Sequence, residues 1–205
     1  MIVRIEGCAV YVDKSGKRRE IEGYGSLSDD RELKRLNVEG SATFDELSCD
    51  KVKISGECSG DTLIGEKITI EGDVEVGSIK AVKSLEIDGD FRIDSIESDE
   101  IVINSQSGTI GEIKCNNLKI FCEGGNFEGE ISFGNFRIKS SPSKISSRVR
   151  VKKIEAADVE LENCRILLIK CKNAVVGSDC LIDKLIVSGK FELDNTSKVG
   201  EVIRE

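Results

Sequence analysis

The chain repeats itself at a fixed interval. In residues 51–73, KVKISGECSGDTLIGEKITIEGD, the triplet Val52, Ile54, Gly56 returns as Ile68, Ile70, Gly72, each position displaced by 16. A wider pattern contains this one: an apolar residue, four others, then two apolar residues separated by one. It recurs with leading positions Leu47, Leu63, Ile79, Ile96, Ile113, Ile131, Ile154, Ile169 and Ile186. The closing pairs are Val52/Ile54, Ile68/Ile70, Leu85/Ile87, Ile101/Ile103, Leu118/Ile120, Phe136/Ile138, Val159/Leu161, Ala174/Val176 and Phe191/Leu193. From leading residue to last residue the distance is 7, except in the third repeat, where it is 8.

Two residues after each pair the chain carries Gly40, Gly56, Gly72, Gly89, Ser105, Cys122, Ser140, Asn163, Ser178 or Asn195, the first following an additional pair, Leu36/Val38. Gly, Asn and Ser tolerate left-handed or tight backbone, so this column reads as a corner. A further apolar residue three before the leading one, such as Val76 before Ile79 or Ile93 before Ile96, adds another short strand. Units this small close a core only by stacking, each strand pairing in parallel with its equivalent about 4.8 Å away. The expected fold is all-β: a right-handed parallel β-helix, a three-sided solenoid of about ten coils of 15–18 residues. One step, from Ile131 to Ile154, is 23 residues long and contains KSSPSKISSR with the single proline, Pro142. It reads as an inserted loop near 139–148. Residues 1–35 lack the pattern, alternate like strands, and read as a hairpin-like cap turning at Ser15–Gly16, with a degenerate extra coil as the alternative. The solenoid proper spans 36–205.

Charge and residue types then narrow the chemistry. The net charge of −8 excludes a general nucleic-acid binder, because phosphate contacts need clustered Lys and Arg. One segment runs against that balance: between Ile131 and Ile154 there is no acid, while Arg137, Lys139, Lys144, Arg148, Arg150, Lys152 and Lys153 form a basic patch. It reads either as a solvated loop or as a docking site for an anionic partner, such as a membrane surface or the acidic flank of another copy. In-register carboxylates at Glu71 and Asp88, and at Glu57, Asp73 and Asp90, repel unless a cation sits between them; the plainer reading is a solvated face that deters sheet-to-sheet aggregation. No metal or other cofactor is assigned from this pattern.

A glycan-active β-helix enzyme would use such carboxylates, with Asp73 or Asp90 in the working role. The chain has no His and no Trp, and Tyr occurs only at Tyr11 and Tyr24, so aromatic sugar platforms and a histidine base are both missing, and no catalysis is expected. The eight cysteines form no C-x-x-C pair and read as buried free thiols, with Cys164 stacked on Cys180. No run of 18 apolar residues and no secretory signal pattern occurs, so a cytoplasmic protein is expected. Phe121 reads as an outward aromatic available for lateral contact. Val199, Val202 and Ile203, in the last coil KVGEVIRE, read as a bare end available for self-association.

The ladder LNVEG, VKISG, ITIEG, LEIDG, followed by VEVGSI, FRIDSI and GTIGEI, resembles the bactofilins, also called polymer-forming cytoskeletal proteins. The resemblance covers residues 36–140 and, more weakly, VKKIEAADVELENCRILLIKCKN onward. It implies a right-handed β-helix, a cytoplasmic location, nucleotide-independent assembly end to end into filaments, and scaffolding of cell-envelope or morphogenesis proteins. Members of that family usually have a shorter core, disordered tails and a short apolar membrane-targeting start. Here the coils continue to Val202 without those features, so membrane attachment does not follow from the resemblance. If residues 1–35 cap one end, assembly is expected to stop at a two-fold dimer through the C-terminal coil.

Overall fold

A computed structural model describes residues 9–12, 18–27, 34–122 and 149–205. The described chain holds eleven strands and no helix: β1 (Ala9–Val12), β2 (Arg18–Leu27), β3 (Arg35–Ser48), β4 (Lys51–Asp88), β5 (Phe91–Ser105), β6 (Gly108–Cys122), β7 (Val149–Glu162), β8 (Cys164–Val176), β9 (Leu181–Val187), β10 (Phe191–Leu193) and β11 (Lys198–Arg204). They form one parallel β-solenoid of about eight turns. The longer strands run through the corners without a break, so β4 alone carries more than two turns of the tube. From β2 to β11 every pairing is parallel. Only β1 differs, lying antiparallel on β2 with Ala9 opposite Glu22 and Val12 opposite Arg19.

Equivalent residues stack as the repeat requires. Leu36 is the Cα partner of Val52, Leu85 of Ile101, Ile101 of Leu118, Leu118 of Val159 and Val159 of Ala174. The inward column Val38, Ile54, Ile70, Ile87, Ile103, Ile120 has no exposed surface at all. Burying each such side chain contributes about 1.5–3 kcal/mol, which makes this column a principal source of stability. Where a phenylalanine enters the tube, the next rung is a glycine. Phe44 pairs with Gly60 and Phe91 with Gly108, and a Cβ on either glycine would stand 2.4 Å or 2.3 Å from the ring. One large and one absent side chain keep the cross-section constant.

The corner column is real and strained. Gly40, Gly56, Gly72 and Gly89 have φ of +123°, +130°, +135° and +143°, a region L side chains rarely adopt. Further along, the column is continued by Asn163 at φ +50°, whose Nδ2 donates to the Cys122 carbonyl at 3.2 Å. Asparagine bears this conformation more readily than other non-glycine residues. The longer third repeat also has a structural cause. The register shifts between Ala81 and Ser84, forming a bulge that turns Val82 outward, 64% exposed.

Three expectations need correction. Strand β6 pairs directly with β7, Ile113 opposite Ile154 and Ile120 opposite Leu161, so no coil led by Ile131 and closed by Phe136/Ile138 stands between them. Residues 123–148, with the repeat read at Ile131 and Phe136/Ile138, lie outside the described residues, and the described tube has fewer than the ten coils expected. In the ninth repeat the leading residue is Leu185, which pairs with Ile169 and is fully buried, whereas Ile186 pairs with Lys170 on the outside. Finally, Glu71 does not stand as a bare carboxylate beneath Asp88. Lys53 lies 3.0 Å from it and the Ser55 hydroxyl donates to it at 3.2 Å.

Candidate interaction surfaces

The C-terminal coil leaves the tube open. Its inward residues complete the ladders: Phe191 stacks on Ala174, Leu193 on Val176, Val199 on Ile182 and Val202 on Leu185. Among the described residues nothing lies beyond them. Leu193 is therefore 45% exposed and Val202 43%, although their partners Val176 and Leu185 are buried. Arg204 shields part of this end, its guanidinium 5.9 Å from the Phe191 ring centroid and its Nη1 donating to the Gly189 carbonyl at 2.6 Å. The outer edges of β10 and β11 carry no strand partner among the described residues. An apolar cross-section with an open backbone edge suits addition of another strand layer.

Of the residues expected at this end, Val199 and Val202 lie in its inward ladders. Ile203 pairs with Ile186 and faces sideways. Phe121 belongs to β6, far from the end, with Asn104 and Glu162 as its Cα partners. Phe191 and Leu193 were not singled out as end residues, although the repeat pattern contains them. What marks them is that among the described residues no strand stacks on β10 from the far side.

The basic patch is split. Arg137, Lys139, Lys144 and Arg148 lie outside the described residues, as does the loop near 139–148. Arg150 and Lys152 are exposed on β7 and form no ion pair among the described residues. Lys153 is committed elsewhere, 2.7 Å from both Glu112 and Glu155. The Glu112 hydrogen bond, and then that from Glu155, push the Lys153 ammonium up to about 12, and Lys153 in turn holds both carboxyls below the usual range. Glu71 is lowered in the same way by Lys53 and then Ser55. These are surface pairs, worth little each. Among the described residues no three Cys, Asp or Glu side chains converge as metal ligands, and no helix is long and apolar enough to cross a membrane.

The described cysteines are unbridged thiols. Cys164 and Cys180 stack with their Sγ atoms 3.7 Å apart, and that contact together with burial holds Cys164 well above the ordinary thiol range. Burial pushes Cys49 and Cys171 up to about 11 and Cys58 and Cys115 to about 12. A thiol kept neutral by the fold stabilises it fully below the ordinary value near 9, and that contribution is lost as pH rises toward the folded value. The urea midpoint is therefore expected to fall between pH 9 and pH 11, with slow alkylation of the native protein at pH 8. An unchanged midpoint, or rapid labelling of all eight thiols without denaturant, would contradict this burial.

Among the described residues, the fold and these surfaces define a parallel β-solenoid with an open apolar C-terminal end and charged flanks. Comparison with protein-family models, curated proteins and solved structures returns no match.

Proposed function

We propose that this chain is a non-enzymatic, self-associating structural scaffold of bactofilin type, cytoplasmic, that joins copies end to end through its C-terminal coil. The observation that carries this reading is the open tube end, where Leu193 and Val202 are 45% and 43% exposed in ladders otherwise buried. At the other end β1 lies antiparallel over β2 at Arg19–Glu22, so that stretch of edge is already occupied. The geometry favours a two-fold joint between C-terminal coils over a filament built by head-to-tail repetition. Cell-envelope or morphogenesis proteins are the partners such a scaffold would organise.

Light scattering and negative-stain electron microscopy test the joint. The wild type is expected as rods of twice the single-tube length, and Leu193→Asp with Val202→Lys is expected to leave single tubes, because two charged side chains would have to be desolvated at an apolar joint. Wild-type rods of single length would overturn the reading; long fibres would retain the scaffold and remove the capped dimer.

A second reading, a module that binds an anionic partner through the basic patch, is favoured by Arg150 and Lys152, exposed and without a described carboxylate partner. Charge reversal at Arg148 and Arg150 separates the two: partner capture lost with end joining intact favours the module.

A further inference from the structure

Sulfur is spread unevenly along the tube. Cys115 and Cys171 share a column, but Ala156 stands between them as the Cα partner of both, so they are two rungs apart. Cys164 and Cys180 have no such spacer. The residues that follow them, Arg165 and Leu181, are Cα partners in adjacent rungs, and the two Sγ atoms touch at 3.7 Å. A rung spacing of about 4.8 Å lies within the roughly 4.4–6.8 Å between Cα atoms that a disulfide spans, whereas twice that spacing lies outside it.

The surroundings make the two thiols unequal. Both are buried, Cys164 completely and Cys180 to 3% exposure. The Cys164 thiol donates to Cys180, which holds the Cys180 thiol below its ordinary value while Cys164 is pushed well above it. Cys180 also closes the turn 177–180 between β8 and β9. That turn is held by the next coil: the Asp179 N–H donates to Thr196 Oγ1 at 3.0 Å, and the Cys180 N–H donates to Ser197 Oγ at 2.7 Å. Thr196 and Ser197 directly precede β11, on which no described strand stacks from the far side. Opening of the last coil therefore uncovers Cys180 before Cys164.

We infer that Cys164 and Cys180 form a site of reversible oxidation, closed to a disulfide by a hydroperoxide that enters through the last coil. A hydroperoxide suits the place because it is small and uncharged, whereas a glutathione-sized disulfide is too bulky for a pair with so little exposed surface. Cys180, as thiolate, attacks a peroxide oxygen. The O–O bond breaks, the departing alkoxide or hydroxide takes the thiol proton, and a sulfenic acid remains on Cys180. The Cys164 sulfur, already in contact, then attacks the Cys180 sulfur, and the Cys164 proton leaves with the displaced hydroxide as water. The two sulfurs give up two electrons and the peroxide takes both. The product fastens the turn from Cys164 to Cys180 into a closed loop beneath the last coil, and a thiol reductant reopens it. The bond forms within one chain, so it does not depend on the end joint.

The test adds hydrogen peroxide to the folded full chain and removes it with catalase, after which the protein is unfolded, alkylated and cut with trypsin. Cleavage after Arg165, Lys172 and Lys184 puts the two cysteines on separate peptides, so a joined pair of peptides identifies the bond. The expected result is a Cys164–Cys180 bond, removed by dithiothreitol, with Cys115 and Cys171 remaining thiols. The oxidised protein is expected to melt about 5–10 °C above the reduced one, because the closed loop lowers the entropy of the unfolded chain. In Cys164→Ser, dimedone is expected to trap Cys180 as its sulfenic acid, and in Cys180→Ser, Cys164 is expected to stay reduced. The wild-type peptide map stands even if neither variant folds. Both thiols alkylated after peroxide, a bond from either one to another cysteine such as Cys122, Cys180 carried to sulfinic acid without a bond, or a lower melting temperature after oxidation would each overturn the inference.

Discussion

Gly72→Ala is expected to cost more than about 4 kcal/mol and to leave little folded protein. Two causes act together. The position has φ +135°, where an L side chain is strained whatever the space around it. An added Cβ would also stand 2.0 Å from the carbonyl oxygen of Gly56, one rung away. That oxygen belongs to the backbone of a stacked coil and cannot move without shifting the whole rung. Gly56→Ala meets the same contact against Gly40 and is expected to behave alike. Urea unfolding followed by circular dichroism checks this. A loss below about 1 kcal/mol would mean that the corner is not built as described.

The second large effect lies inside the tube. Ile70→Ala is expected to destabilise by about 2–5 kcal/mol, because Ile70 is fully buried between Ile54 and Ile87 and the stacked coils above and below cannot collapse into the space. The same truncation at Leu193, in the equivalent column but 45% exposed at the open end, is expected to change the stability of single tubes, measured at a concentration too low for end joining, by no more than about 0.5 kcal/mol. Equal costs at the two positions would deny that Leu193 ends the ladder.

Much of this architecture is legible in the sequence because stacking makes it local. Each rung must place the same class of residue at the same phase, so Val52, Ile68 and Leu85 reveal one another, and Gly56 and Gly72 reveal the corner. Even the bulge at Val82 shows, as a pattern spacing of 8 in the third repeat instead of 7. The errors arise where residue class alone is ambiguous. Ile131, Phe136 and Ile138 satisfy the pattern but lie outside the described residues, and the direct pairing of β6 with β7 leaves no rung for them between those two strands. In KLIV two adjacent apolar residues compete for one inward position. A spacing of 7 selects Ile186, while the observed register buries Leu185 and leaves the longer path through Ser188 and Gly189.

The candidate surfaces were less legible, for a physical reason. A charged patch in a solenoid is made by residues one coil apart, not by neighbours in the chain. The run from Arg137 to Lys153 looked like a unit, yet Lys153 is paired by Glu112 and Glu155. Arg165 and Lys198, which extend the exposed basic block beside Arg150, lie outside that run. The open end was visible in Val199 and Val202, whereas Leu193, the most exposed of its ladder residues, looked like an ordinary member of the repeat.

Consecutive coils stack in register, with β6 directly against β7. Spin labels at outward positions of one column measure it directly. Distances from Asn37 to Val102, Lys119 and Glu160 are predicted to rise by about 4.8 Å per rung. The last two should differ by a single rung although 41 residues separate them. A difference of about two rungs, or distances that do not rise linearly along the column, would contradict the account.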